Sequence, residues 1–224
     1  MRFFNFYTPK ISDIQFHKDN WELHEGFEND KAWYTEKRDP ARIRFFDRQP
    51  DWPFDLRDEK AARDFFEAQS RSLNGVLIEI AVENIAGTEC LVGVFKYKSP
   101  VPNDLGMYYV GIVWMPFEKF LFQINFESME KGTTGMREAA VAMIVNPAPV
   151  KSDEEPVMLN SMEELFANLR KKPVQAVPSD DKKYDEMFAE HPLSKVRALL
   201  DHFRNNVKID KQLLKQKPFR RVSA

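Results

Sequence analysis

The chain has 224 residues, enough for one domain with an appendage or for two small ones. Nineteen Phe against eight Gly point to a packed globule, and a formal net charge of −2 excludes whole-chain attraction to nucleic acid or anionic membrane. The single Cys excludes an internal disulfide framework and a Cys-based zinc cage.

The start of the chain, Met1-Arg2-Phe3-Phe4-Asn5-Phe6-Tyr7, is aromatic but too short for a secretory apolar region. Phe3 to Tyr7 suits an edge or first strand. Trp21 to Phe27 and Lys31 to Thr35 carry aromatics between charges, and Arg42 to Asp47 reads as a short strand. Pro50 and Pro53 break regularity, so Trp52 and Phe54 are expected to plug a loop onto the core.

From Asp58, a capping residue, the spacing predicts a helix with Ala62, Phe65, Phe66, Gln69 and Leu73 on one face. Asn74-Gly75 stops it, with Gly75 suited to the left-handed position. Four strands follow: Val76 to Glu83, Glu89 to Lys98, Met107 to Met115, and one holding Phe120, Phe122, Ile124 and Phe126. The first and last alternate at period two, the pattern of a sheet with one buried face. The third is apolar on both faces, as in a central strand covered twice. Ile78, Ile80, Phe120, Phe122, Ile124 and Phe126 are expected on one buried face, while Glu79 and Glu83 share a face open to solvent.

Gly132-Thr133-Thr134-Gly135 opens a helix whose apolar side is Met136, Ala139, Ala140, Met143 and Ile144. Residues 147–160 have the proline-rich, acidic composition of a linker. Ser161-Met162-Glu163-Glu164 is a capping box before a further helix, and Pro192 begins another with Leu193, Val196, Leu199, Leu200, Phe203 and Val207 as its stripe. The last segment is basic (Lys208, Lys211, Lys215, Lys217, Arg220, Arg221), yet Ile209, Leu213, Leu214 and Phe219 give it an apolar side. It reads as a docked terminal segment or as a nucleic-acid contact; no aromatic platform or reading helix favours the second. The reading is therefore an α+β protein: an antiparallel meander flanked by helices over 1–146, a linker over 147–160, and a helical extension with a basic tail over 161–224.

The residues that carry chemistry are scattered. Lys131, Thr133, Thr134 and Arg137 surround a helix start and together suit an anion. The spacing is not that of a phosphate loop, and a turn with a Thr cap accounts for the same residues. His17, His24, His191 and His202 fall in no metal-ligand motif and read as surface residues, with His191 preceding the last helix. There is no serine elbow, and Cys90 lies in an apolar run as a small hydrophobe. No catalytic residue, metal or cofactor is expected. Gln123, Asn125 and Glu127 form a polar row beside Tyr108 and Trp114, which either lines a ligand or partner surface or is a solvated sheet face.

The order of strand, helix over Asp58 to Leu73, four-strand meander and helix over Gly135 to Val145 resembles the PsbP-like α+β sandwich. That group includes DcrB-type bacterial proteins and small adaptors of type VI secretion. The resemblance implies a non-enzymatic bacterial protein that binds a protein partner, with a secretion accessory or a toxin-immunity protein as the expected roles. The alternative is a small-ligand-binding or hydrolytic protein with a site built from scattered residues. No run is long enough to span a membrane, so a cytoplasmic location is expected.

Overall fold

Seven antiparallel strands form the central sheet of the computed structural model, which describes residues 7–102, 104–146, 168 and 170–221. A two-residue strand β1 (Ile14–Gln15) precedes them. They are β2 (Glu22–Gly26), β3 (Asp30–Tyr34), β4 (Pro40–Phe46), β5 (Val76–Ile85), β6 (Thr88–Lys98), β7 (Met107–Pro116) and β8 (Leu121–Met129), in the spatial order β2-β3-β4-β8-β7-β6-β5. Three helices have described bounds: α1 (Glu59–Ser72), α2 (Met136–Val145) and α3 (Pro192–Asn206). A short β9 (Lys208–Ile209) returns to pair with β1. The fold is α+β, with an antiparallel sheet flanked by helices. The expected strand over Phe3 to Tyr7, the linker and the capping box at Ser161 fall wholly or largely outside the described residues.

Both sheet faces are covered. On one, α3 lays Leu193, Val196, Leu200 and Phe203 against Val113, Phe122, Ile124 and Phe126. Each of those four helix side chains is worth about 1.5–3 kcal/mol relative to exposure, more than an isolated helix of this length could supply for itself. Gly111 permits the approach, because a Cβ there would sit 2.7 Å from Val196 Cγ1 and 2.8 Å from Leu200 Cδ1. On the other face, Ala62 and Phe66 of α1 join Trp52, Phe54 and Leu56 over Leu77, Leu91, Phe95 and Trp114. The Trp52–Phe54 loop is the expected plug, and its rings stack 5.4 Å apart.

The structure corrects several local expectations. Ile78 and Ile80 do not share a face: the β5–β6 register shifts between Leu77 and Glu79, so Ile80 joins the α1 core. The same bulge turns Glu79 and Glu83 toward α3, where they pair with Arg197 and Arg204 instead of facing open solvent. At the end of α1 it is Asn74 that adopts positive φ, at 55°. Gly75 is required for a different reason, since its Cβ would meet the Lys96 carbonyl at 2.8 Å. Met136 and Met143 of α2 are exposed, and that helix buries Arg137 and Val141 instead.

The segment after α3 belongs to both cores. Leu213 is fully buried in the α3 core, and Phe219 lies edge-on to Trp52 in the α1 core. Two of its basic residues find acidic neighbours, Arg220 with Glu89 at 2.5 Å and Lys217 with Glu118 at 3.6 Å.

Candidate functional site

The expected polar row lies on the α1 face of the sheet, closed on itself. Trp114 Nε1 donates to Gln123 Oε1 at 3.1 Å, and Gln123 Nε2 to Asn125 Oδ1 at 2.9 Å. Asn125 Nδ2 donates to Glu127 Oε1 at 3.5 Å, and the Tyr108 hydroxyl donates to the other Glu127 oxygen. Burial and the Glu127 charge push the Tyr108 hydroxyl up, so it remains a donor. Trp114 is buried under Phe66, with ring centroids 4.7 Å apart, and offers no free anchor. A groove of about 550 Å³ passes beside Trp114 and Gln123, lined also by Trp52, Phe65, Tyr97 and Ile112.

The four residues expected around an anion are divided. Lys131 and Thr133 line one cavity, and Thr134 lines another. Arg137 turns inward, only 1% exposed, where its guanidinium donates to the Ser179 and Asp181 carbonyls, Ser194 Oγ and Asp185 Oδ1. The Gly135 amide already donates to Glu130 Oε1 at 3.1 Å. The acceptor at the start of α2 is thus the chain's own carboxylate.

That carboxylate leads to the most polar part of the interior. Three structural units meet there: the ends of β7 and β8, helix α2, and the segment from Val177 to Pro192. The last is tied down by buried charge. Lys96 Nζ contacts Asp180 at 2.6 Å. Arg197 reaches Asp185 Oδ1 at 2.9 Å and the Asp180 carbonyl at 2.6 Å, besides Glu79. These pairs answer charge with charge, as burial demands.

Beside this network lies a group that is not fully answered. Glu130 accepts from the Met107 amide at 2.8 Å and the Gly135 amide. His191 Nδ1 accepts from the Leu193 amide at 3.2 Å and caps α3, so the neutral ring carries its proton on Nε2. Nε2 stands 3.5 Å from Glu130 Oε1 but makes no hydrogen bond. Burial raises the Glu130 carboxyl, while the His191 contact and the two amides lower it; the net shift is downward, so the carboxylate form is favoured. Glu138 Oε1 takes a long bond from Ser179 Oγ at 3.5 Å, and Glu138 Oε2 takes none among the described residues. The Tyr109 ring packs edge-on to His191 at 5.3 Å, with its hydroxyl buried and likewise without a partner among them. Burial, then the Glu138 and Glu130 charges, push that hydroxyl up.

His191 is therefore not a surface histidine, whereas His17 and His24 are exposed as expected. One ligand atom from each of Glu130, Glu138 and His191 lies within 4.8 Å of the others. Sequence reading missed this group because its members come from a strand end, a helix and a cap far apart in the chain. The one available signal was Glu130 next to the Gly132–Gly135 turn. Two cavities border the group. One of about 660 Å³ has Glu130 and His191 in its lining, with Lys37, Lys131 and Lys195; the other, of about 300 Å³, has Glu130 and Glu138 with Lys96 and Thr134. Cys90 takes no part: it is fully buried, burial pushes its thiol up, and Sγ donates to the Thr88 carbonyl.

No family model matches the chain, and no curated protein does either. Among solved structures, a crystal structure of a protein from Bacteroides thetaiotaomicron VPI-5482 is similar over 76% of this chain and 63% of that one, at 14% identity and a TM-score of 0.31. The likeness spans less than two thirds of that protein's length and carries no argument about fold or activity. Among the described residues, no helix is long and apolar enough to cross a membrane.

Proposed function

We propose that this chain binds a small polar ligand where Glu130, Glu138, His191 and Tyr109 meet. One observation carries the reading: Glu138 Oε2, His191 Nε2 and Tyr109 Oη are buried without hydrogen-bond partners among the described residues, on side chains that adjoin, the Tyr109 and His191 rings lying 5.3 Å apart and ligand atoms of Glu138 and His191 within 4.8 Å. A buried polar atom left unpaired costs about 1–3 kcal/mol, and three in one place amount to a sizeable part of a domain's stability. A ligand that pairs with them recovers that cost. The adjoining cavities supply room for it, with three lysines on the larger one. This proposal takes up the alternative reading of the sequence, a ligand site built from scattered residues.

The test is a thermal-shift and NMR screen of the full chain with amino acids, hydroxy acids and nucleosides. A true ligand raises the melting temperature and moves the Tyr109 and His191 ring signals, and Tyr109→Phe weakens it at least fivefold. A panel in which no compound moves those signals would remove the reading.

A second reading, contact with a protein partner, draws support from α2. Its Met136, Met143 and Ile144 are 53–68% exposed and lie along one side of the helix. The PsbP-like resemblance and the bacterial secretion or immunity role belong to this reading, as does the polar row with Tyr108. Met143→Glu should abolish recovery of one partner from the source cell, while Gln123→Lys with Asn125→Lys tests the other face. Under either reading we place the protein in the cytoplasm.

A further inference from the structure

We propose that Glu130, Glu138 and His191 hold one divalent transition-metal ion of the zinc or manganese kind. The inference rests on the binding reading above and names the ligand at the same group of side chains.

The three ligand atoms lie within 4.8 Å of one another. An ion with bonds of about 2.0–2.2 Å to imidazole nitrogen and carboxylate oxygen needs such atoms roughly 3.3 Å apart. The closure required is within reach of side-chain rotation. Proximity of acids alone would be weak grounds. Here the His191 side chain is 91% buried, from its 9% exposure, and its Nε2 is without a partner beside Glu130. Glu138 Oε2 is likewise without a partner among the described residues, and so is the hydroxyl of Tyr109, a residue at 0% exposure whose ring lies 5.3 Å from that of His191.

Charge argues the same way. Among the described residues no lysine or arginine pairs with Glu130 or Glu138: Lys96 is committed to Asp180, and Arg137 to Asp185. Two carboxyl groups and an imidazole with no lysine or arginine on them offer the donors that a divalent cation takes. Each ligand is also steadied from behind, Glu130 by the Met107 and Gly135 amides and Glu138 by Ser179. Metal ligands are commonly oriented by such outer contacts. One imidazole with two carboxylates suits Zn²⁺, Mn²⁺ or Fe²⁺ better than the all-oxygen preference of Ca²⁺. Three protein ligands leave a further position for water or a small molecule from the cavity.

Binding has a signature at His191. The Leu193 amide now donates to Nδ1, which keeps the ring proton on Nε2. A metal on Nε2 moves that proton to Nδ1, with no net release, and the Leu193 amide loses its acceptor. The His191 ring nitrogens and the Leu193 amide must therefore shift together.

The experiment uses the full chain stripped with a chelator and titrated with ZnCl₂ or MnCl₂ alone, by calorimetry, native mass spectrometry and ¹⁵N NMR. The expected result is one ion per chain, the coupled His191 and Leu193 shifts, and at least hundredfold weaker binding in Glu138→Gln. His17→Gln with His24→Gln should leave binding unchanged. The wild-type titration decides the question even where a variant folds poorly. Absence of saturable binding, or shifts confined to His17 and His24, would overturn the site. Loss of the metal result while an organic compound still moves Tyr109 and His191 would sink the metal and keep the ligand reading. Silence of both the metals and the organic panel would remove both and leave the cavity to water.

Discussion

At the scale of single residues, the fold turns on positions where one atom more or less is decisive. Gly111 lies under α3 with Val196 and Leu200, both fully buried, within 3 Å of where its Cβ would be. Neither side chain has space to retreat, so overpacking decides the sign. Gly111→Ala should cost about 1–3 kcal/mol in urea unfolding, and an unchanged midpoint would show that α3 sits farther from the sheet. Asp30 illustrates a milder effect. Its carboxylate accepts from Arg42 Nε at 2.6 Å and from Arg44 at 3.1 Å. The Arg42 bonds, above all, hold Asp30 below the usual carboxylate value of 3.8 despite some burial. A lowered folded pKa adds stability above the ordinary value and loses it as pH falls through the folded one. This pair lies on a partly solvated hairpin, so about 0.5–1 kcal/mol is the realistic scale. Asp30→Asn should be less stable than the parent at pH 7, with the gap narrowing as pH falls below 3.8; a gap that stays constant in acid would assign the effect to packing.

At the scale of elements, the decisive contacts are those holding the Val177–Pro192 segment between α2 and α3. Arg137 carries most of that load, with four acceptors around one buried guanidinium. Removing one partner of a buried network leaves unpaired groups, at about 3–5 kcal/mol. Arg137→Ala should show that loss in chemical denaturation, and Arg137→Lys should recover little of it, because an ammonium cannot present the planar fork. Full recovery by Lys would mean that charge alone matters there. Such contacts also explain what was legible in advance. β5 to β8, α1 and α3 announced themselves because Phe122-Ile124-Phe126 alternates at period two and Leu193-Val196-Leu200-Phe203 recurs at helical spacing. The β2–β3 hairpin did not, since an edge strand such as Glu22–Gly26 faces solvent and has little apolar alternation to display. The face of Ile80 depended on a one-residue bulge that no local residue signals. The apolar side of α2 pointed outward because Arg137 claimed the inner one. His191 was unreadable for a related reason: its burial is imposed by Glu130 and Tyr109, which only the tertiary fold brings to it.

At the scale of the whole molecule, the segment after α3 ties the two cores together. It returns beneath the sheet to pair β9 with β1, sets Leu213 among the α3-side residues, and ends with Phe219 against Trp52. Phe117 bridges to Pro218, and the Glu118 amide donates to the Lys217 carbonyl at 2.9 Å, so the backbone is fastened as well. This placement makes the basic tail a docked terminal segment. A tail whose function was a free electrostatic contact would contribute little to folding. One that fills both cores contributes about 2–5 kcal/mol for Leu213 and 3–5 kcal/mol for Phe219 on truncation to Ala. Against a typical net stability of about 5–15 kcal/mol, losing both would remove about a third of it or more. Deleting residues 208–224 should therefore abolish the cooperative thermal transition or render the chain insoluble. Phe219→Ala alone, a milder change, should remain folded with a melting temperature lower by about 6–20 °C. A deletion variant that melts at the parent temperature would show that the tail is dispensable, and its bases would then be open for binding elsewhere.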